Sequence, residues 1–426
     1  MGKIAQCNLD VLFGDEGVRC ILLRQITLKT QRVEVRFQIH KRIDLVRVID
    51  ESLDIMKMGA EDDQQQTFVV VTSRRFREVT GPLDRLNGQA NYIKINDKVG
   101  RLRGYICLLI SLFRYTRSES PGAIVAINGG LVTFICLIVS VVQDTPLIVR
   151  IAGNRWETRK ERFRAHASNL EYQQALSTVF VFLLERLAER RATGLIVVSK
   201  SLIPTAIHYT KFDASKVGVV HIPLDENSEH ISISDSGVDE DEYSSEILTV
   251  TNLDYEGKYR GVRDGLNEIS KYLHDNQDAT YTVVGGGRYV DNLMRDVGDL
   301  DGDVRSRINI VGNVDDVAHY YSKSDVFVYV SYRDAYPNVI IEAQYFGLPI
   351  ISVEKFGMVE QIEHGESGML VKENRLDNIH QYLRQIEQDV ELRNRLSKQA
   401  RNKVAEDNSI HSISNEFVQA IRKIIS

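Results

Sequence analysis

The chain has 426 residues, 43% of them hydrophobic and 26% charged, with a formal net charge of −6. That length exceeds what one core usually serves, and the composition excludes wholesale disorder or a multi-span membrane protein, so two domains of about 200 residues each are expected. Charge is unevenly shared: residues 1–224 carry 32 Lys and Arg against 22 Asp and Glu, and residues 225–426 carry 21 against 37, so the first half favours anionic ligands or an anionic lipid surface.

At the start, the apolar run Val11–Phe13, the turn Gly14-Asp15-Glu16-Gly17 and the helix-like run Val18–Leu28 precede Val33–Phe37. They read as one strand–turn–helix–strand unit in which Gly14 and Gly17 let backbone approach a ligand. Asp10, Asp15 and Glu16 around a short apolar run lack the basic-then-apolar layout of a secretory signal, so a cytoplasmic protein is expected. Cys7, Cys20, Cys107 and Cys136 are far apart and show no C-x-x-C or Cys/His spacing, which predicts neither a disulfide framework nor a zinc site.

Short β-branched runs recur at Thr67–Thr72, Ala123–Ile127, Leu147–Ile151 and Leu195–Val198, separated by stretches of helix length. That alternation predicts a parallel sheet with crossover helices. Ile106–Phe113, flanked by Arg101, Arg103, Arg114 and Arg117, reads as a core helix or a surface-anchoring one. Leu131–Val142 is too short to span a bilayer and reads as a buried helix.

After His221-Ile222-Pro223-Leu224 comes Asp225–Glu246, rich in Asp, Glu and Ser and too polar for a core of its own, which reads as a linker or exposed loop. The strand rhythm resumes at Ile247–Thr251, Tyr281–Val284, Ile308–Val311, Val326–Val330 and Ile350–Val353, and Asp377–Ile425 reads as helices. The fold class is therefore α/β, with two Rossmann-like doubly wound domains facing a central cleft. Their expected bounds are 1–224 and 247–405, joined by 225–246 and followed by a C-terminal helix, 406–426, that returns to the first domain.

The segment with most chemistry runs from Ser331 to Ala343, where Asp334 and Glu342 flank Tyr336-Pro337-Asn338. Pro337 is expected to pre-set the first turn of a helix over Val339–Tyr345. Amides at a helix N-terminus attract an anion, and carboxylates accept hydrogen bonds from sugar hydroxyls; a nucleotide sugar offers both. Taken alone, the two acids also suit an ordinary solvated helix face.

This stretch resembles the E-x7-E signature of the retaining GT-B transferases of glycosyltransferase family 4 (glycosyl transferases group 1), with Asp334 in the first acidic place and Glu342 in the second. Thr282-Val283-Val284-Gly285-Gly286-Gly287 resembles that family's strand and glycine turn, and Ile310-Val311-Gly312-Asn313-Val314 its base-contacting loop. Gly357–Glu360, Gly365 and Gly368–Val371 resemble its closing motif. The likeness covers residues 247–372 and, more thinly, 147–224, where Leu195–Ser199 and His221–Pro223 resemble domain-end motifs.

The resemblance implies a GT-B fold and hexosyl transfer from an NDP-sugar to an acceptor hydroxyl with retention, in glycan, glycolipid or polysaccharide assembly. It implies catalytic roles for Lys258, Asp334 and Glu342, and donor binding by Gly285, Gly286, Asn313, Val314, Pro337, Asn338 and Val339. Asn252 stands where the family usually has Arg, with Arg260 and Arg263 as nearby substitutes, and Ala152 where it often has His. Arg150 and Asn154 are the nearest polar candidates on the acceptor or sugar side. No cofactor and no obligatory metal are expected, since the D-x-D within Asp299-Leu300-Asp301-Gly302-Asp303 reads as a solvated turn. The expected partners are the nucleotide-sugar donor, a carbohydrate or lipid-linked acceptor and the cytoplasmic membrane face; nucleic acid is not expected. Two rival readings are a catalytically silent sugar-nucleotide-binding protein, suggested by Asn252 and Ala152, and another GT-B enzyme such as a sugar-nucleotide epimerase or an inverting transferase.

Overall fold

A computed structural model describes residues 10–14, 17–21, 55–56, 68–72, 90–94, 101–127, 129–168, 172–224 and 243–426. Most of the acidic segment 225–246 lies outside them, as does the run from residue 22 to residue 37.

The N-terminal unit differs from expectation. Strand β1 (Asp10–Gly14) pairs antiparallel with β2 (Gly17–Ile21) in a two-stranded sheet of its own, with Gly14 opposite Gly17. The two runs satisfy each other's backbone groups as an antiparallel ladder, and the second run is a strand where a helix was expected. Gly14 and Gly17 therefore close a hairpin ladder and do not form the glycine turn of a crossover unit.

The first large sheet holds β3 (Ile55–Met56), β4 (Phe68–Thr72), β5 (Ala90–Lys94), β6 (Ala123–Ala126), β7 (Leu147–Ile151), β8 (Gly194–Val197) and β9 (Val217–Val219). Their order is β3-β5-β4-β6-β7-β8-β9, and only β3 runs antiparallel to its neighbour. Around it lie α1 (Arg101–Glu119), α2 (Leu131–Gln143), α3 (Arg155–Ser168), α4 (Tyr172–Arg191) and α5 (Ile203–Thr210).

Side chains alternate across a strand, and here both faces are buried, which explains the continuous apolar runs. Val69, Val71, Ile124, Val149 and Leu195 join the core with α1 and α2. Phe68, Val70, Val125, Ile148 and Ile196 face the opposite way. The helix α2 is only half covered: Val132, Cys136 and Val139 are buried, whereas Val141 and Val142 are exposed, so the expectation of a wholly buried helix is corrected. Among the described residues, no further layer is packed on its outer side.

The second sheet holds β10 (Glu246–Val250), β11 (Thr280–Val284), β12 (Ile308–Gly312), β13 (Val326–Tyr329), β14 (Ile350–Val353) and β15 (Met369–Val371). All are parallel, in the order β12-β11-β10-β13-β14-β15. The crossover helices are α6 (Glu256–Asp275), α7 (Val290–Gly298), α8 (Gly302–Ser306), α9 (Ala318–Lys323), α10 (Asn338–Phe346) and α11 (Met358–Gln361). The chain winds outward from β10 to β12, then returns to β13 beside β10 and winds the other way. Loops leaving β10 and β13 therefore diverge, and the crevice at that switch point is where open α/β sheets bind ligands.

Three helices close the chain: α12 (Asn378–Gln388), α13 (Val390–Asp407) and α14 (Ile410–Ile425). The last crosses to the first domain, where Ile413, Phe417, Ile421 and Ile424 cover the second face of its sheet. The approach is close enough that a Cβ on Gly194 of β8 would sit 2.4 Å from the Ile424 side chain.

Candidate active site

The loop after β10 and the loop after β13 bring together residues 76 positions apart. Lys258, in the first turn of α6, points its Nζ at Asp334 Oδ1, 3.0 Å away. The other carboxylate oxygen of Asp334 accepts hydrogen bonds from Tyr329 Oη and from Ser331 Oγ, the latter at 3.0 Å. Asp334 is thus held in one orientation by three partners. Burial and the Asp334 charge together raise the Tyr329 phenol well above its ordinary pKa, so it remains a donor throughout the physiological range.

Helix α10 begins at Asn338, one residue before the expected Val339, directly after Pro337, which is its N-cap. The extended ψ of 125° at Pro337 starts the helix at Asn338, leaving the first amides, including those of Asn338 and Val339, without intrahelical acceptors. One turn further on, Glu342 accepts from Tyr321 Oη at 2.9 Å. Pro337 itself is pinned from behind, because Gln361 Nε2 donates to its carbonyl at 2.9 Å.

The two glycine-bearing loops of the second domain are joined through Asn313, whose Oδ1 accepts from the Gly286 N–H at 2.7 Å, while Gly312 O accepts from Gly285 N–H at 2.7 Å. Val314 follows, half-buried. Gly285 has φ +128° and a Cβ there would lie 1.8 Å from Thr251 O. An alanine fits neither the backbone region nor the space. Gly285→Ala is therefore expected to destabilise the second domain by about 2–4 kcal/mol, read as a lowered midpoint in thermal unfolding.

Asn252 is committed to its own turn, since Oδ1 accepts from the Asp254 N–H at 2.8 Å. Neither arginine suggested as its substitute is idle: Arg263 bonds Asp264 at 2.9 Å and Arg260 lies over the Tyr332 ring. In the first domain Arg150 is buried and donates to His221 O at 3.3 Å, and Asn154 Oδ1 accepts from Glu157 N–H at the start of α3. Both have protein partners at these positions. In the D-x-D segment, Asp301 precedes α8 and Asp303 pairs with Arg307 at 2.9 Å.

Two contacts joining the domains were not legible as such in the sequence. Arg333, next to Asp334, reaches Glu161 and Thr158 of α3, the latter at 2.8 Å, and stacks over Tyr255. Glu360 accepts from the N–H groups of Lys200 and Ser201 and lies 3.2 Å from His221 Nε2, whose Nδ1 is 2.8 Å from Glu416 of α14. Burial alone would lower the His221 pKa, but the two carboxylates outweigh it and push it up to about 9. The same contacts hold the Glu360 carboxyl below its ordinary value, against the opposing effect of burial. The imidazolium is a charged clasp shared by the first domain, the closing motif and the last helix.

The framework from β10 to α13 can now be compared with known proteins. Residues 238–403 match the family model for glycosyl transferases group 1. Within the curated relatives of this group 1 region, an uncharacterised glycosyltransferase of Haemophilus influenzae is 30% identical over 40% of this chain and 48% of its own length. The Escherichia coli UDP-Gal:alpha-D-GlcNAc-diphosphoundecaprenol alpha-1,3-galactosyltransferase is 30% identical over 32% of this chain and 36% of its own. The chain thus spans about half or less of the length of these two curated relatives. The crystal structure of Anabaena HepE in complex with UDP and glucose matches 84% of this chain and 100% of its own, with a TM-score of 0.59 and 14% identity. The architecture is the GT-B fold, two Rossmann-like domains.

Proposed function

We propose that the protein is a glycosyltransferase that transfers a hexosyl group from an NDP-sugar, with retention, to a hydroxyl of a carbohydrate or lipid-linked acceptor at the cytoplasmic membrane face. The observation that carries this reading is the Lys258–Asp334 pair at the switch point, four residues before the N-terminus of α10, inside the segment that matches the group 1 family. In the reaction, the acceptor oxygen bonds to the anomeric carbon, the bond from that carbon to the diphosphate oxygen breaks, and the nucleoside diphosphate leaves with the electron pair. The acceptor proton is released.

Lys258 and the amides of Asn338 and Val339 oppose the charge that grows on the leaving diphosphate, in a site already oriented before the reaction. Asp334, fixed by Tyr329 and Ser331, accepts from sugar hydroxyls, and Glu342 accepts from the ribose. Gly285, Gly286, Asn313 and Val314 supply the wall for the base and phosphates. The relative named as a UDP-Gal:alpha-D-GlcNAc-diphosphoundecaprenol alpha-1,3-galactosyltransferase supports the choice of donor and acceptor class.

The test is a panel of nucleotide sugars scored by thermal stabilisation and by nucleoside diphosphate release. One donor is expected to stabilise the protein, and Glu342→Ala to weaken that donor's binding by about 10–100-fold, the loss typical of hydrogen bonds to a charged group. Stabilisation unaffected by Glu342→Ala contradicts the site. A silent nucleotide-sugar binder is the second reading, favoured by Asn252 being turned onto Asp254. Donor binding with no release of nucleoside diphosphate across a panel of acceptors would establish it.

A further inference from the structure

Helix α4 is inside out. A helix lying on a globular domain normally turns its apolar side inward. Here Glu185 and Glu189 are 3% and 1% exposed. Glu185 accepts from the Gly130 N–H at the start of α2 and from Arg159 Nε at 2.9 Å. Glu189 accepts from Trp156 Nε1 at 2.9 Å and faces Arg155. These paired carboxylates fix which side of α4 meets the protein. The opposite side presents Tyr172, Leu176, Phe180, Leu183 and Leu187, spaced by four, four, three and four residues and 45–70% exposed.

The stripe continues sideways. Helix α2 packs between α4 and α1, and its uncovered residues Val141 and Val142 are 70% and 61% exposed. Beyond them α1 turns Arg103, Arg114 and Arg117 to solvent, with Ile106 among them. At the far end α4 finishes on Arg190 and Arg191, both exposed. Exposed apolar residues clustered on three neighbouring helices mark a docking surface.

We propose that this face of the first domain docks on an anionic lipid surface. The apolar stripe would enter the headgroup–acyl boundary, while arginines at its edges meet lipid phosphates; apolar area and basic rim together are what such a surface selects. A second copy of the chain is a poorer occupant. A two-fold interface would lay the same arginine rim near its own image, and among the described residues of α1, α2, α4 and their caps the exposed acids are Glu119 and Asp144 against Arg103, Arg114, Arg117, Arg190 and Arg191. The inference extends the membrane-face part of the proposed function and rests on that reading. Its measurement needs neither donor nor acceptor, so that docking and transfer can fail separately.

The full-length chain is mixed with sedimentable vesicles of phosphatidylcholine alone or with phosphatidylglycerol added, and the bound fraction is measured. Binding is expected on the anionic vesicles, weakening with salt. Leu176→Glu with Leu183→Glu should reduce it by about tenfold or more through loss of inserted apolar surface. Arg190→Gln with Arg191→Gln should reduce it on anionic vesicles by about tenfold or more, since each arginine near the surface contributes about fivefold. Both pairs are exposed, so far-UV circular dichroism and the thermal midpoint should stay at wild-type values. Absence of wild-type binding to anionic vesicles overturns the proposal, as does equal binding by the stripe variant. So does sedimentation equilibrium revealing a dimer that the stripe variant converts to monomer while vesicles bind neither.

Discussion

Replacing Lys258 with methionine is expected to lower turnover by about 10²–10³-fold, the loss seen when one preorganised group opposing developing charge is removed. The reasoning rests on what remains. Without the ammonium, Asp334 keeps Tyr329 and Ser331 as donors, so the loop after β13 should hold its shape. Tyr332 N–H still donates to Gly257 O, which keeps the start of α6 against that loop. Fold and nucleotide binding should therefore survive while the leaving diphosphate loses its cation. The measurement is nucleoside diphosphate release at saturating donor, with the thermal midpoint as the control for folding. Turnover within a few-fold of wild type would remove Lys258 from the chemistry, and Asp334 would then be its structural anchor only.

Stability should fall as pH rises from about 6.5 to 9.5, because of the His221 clasp. The folded pKa of about 9 lies above the ordinary 6.5, so protonation favours the folded state. The contribution is complete below 6.5 and is lost as pH climbs through 9. A shift of that size corresponds to about 3 kcal/mol at the acid end, since one pKa unit is about 1.4 kcal/mol. Thermal midpoints would be recorded across the range for wild type and for Glu360→Gln with Glu416→Gln. The variant strips His221 of both carboxylates, so its profile should be flatter over the same interval. Parallel profiles for the two proteins would mean that the clasp does not couple to folding.

Most strands of the second domain were legible because they are short parallel strands buried on both faces, β12 at the sheet edge being the partly exposed one. Such runs stay apolar on both faces, and β10 to β14 fall within a residue or so of where the sequence put them. Helix α10 was legible through Pro337, which precedes its first residue. Local signals failed where pairing across space decides the outcome. Val18–Ile21 looked helical but became a strand because β1 lies beside it. Nothing in the order of residues from Tyr172 to Arg191 marks Glu185 and Glu189 as the buried side; that is settled by Arg155, Arg159 and Trp156 on a different helix.

The candidate site divides in the same way. Asp334, Glu342 and Lys258 were readable from motif order, whereas Tyr329 and Tyr321, which orient the two acids, look like ordinary core aromatics within apolar runs. His221 and Glu360 each stood in a recognisable motif, yet their meeting across 139 positions, with Glu416 a further partner, depends on how α14 crosses back. Gly14 and Gly17 carried no such network and proved to be hairpin ends.

That crossing has a consequence for how the polypeptide is made. Phe68, Val70, Ile148 and Ile196 belong to strands that precede the second domain, but the helix that shields them is translated after it. Domains usually fold in order of emergence, and exposed apolar surface in a nascent chain invites aggregation. Here one side of the first sheet waits, uncovered, while the entire second domain is translated. A chaperone able to hold a bare β-sheet face would act in that interval.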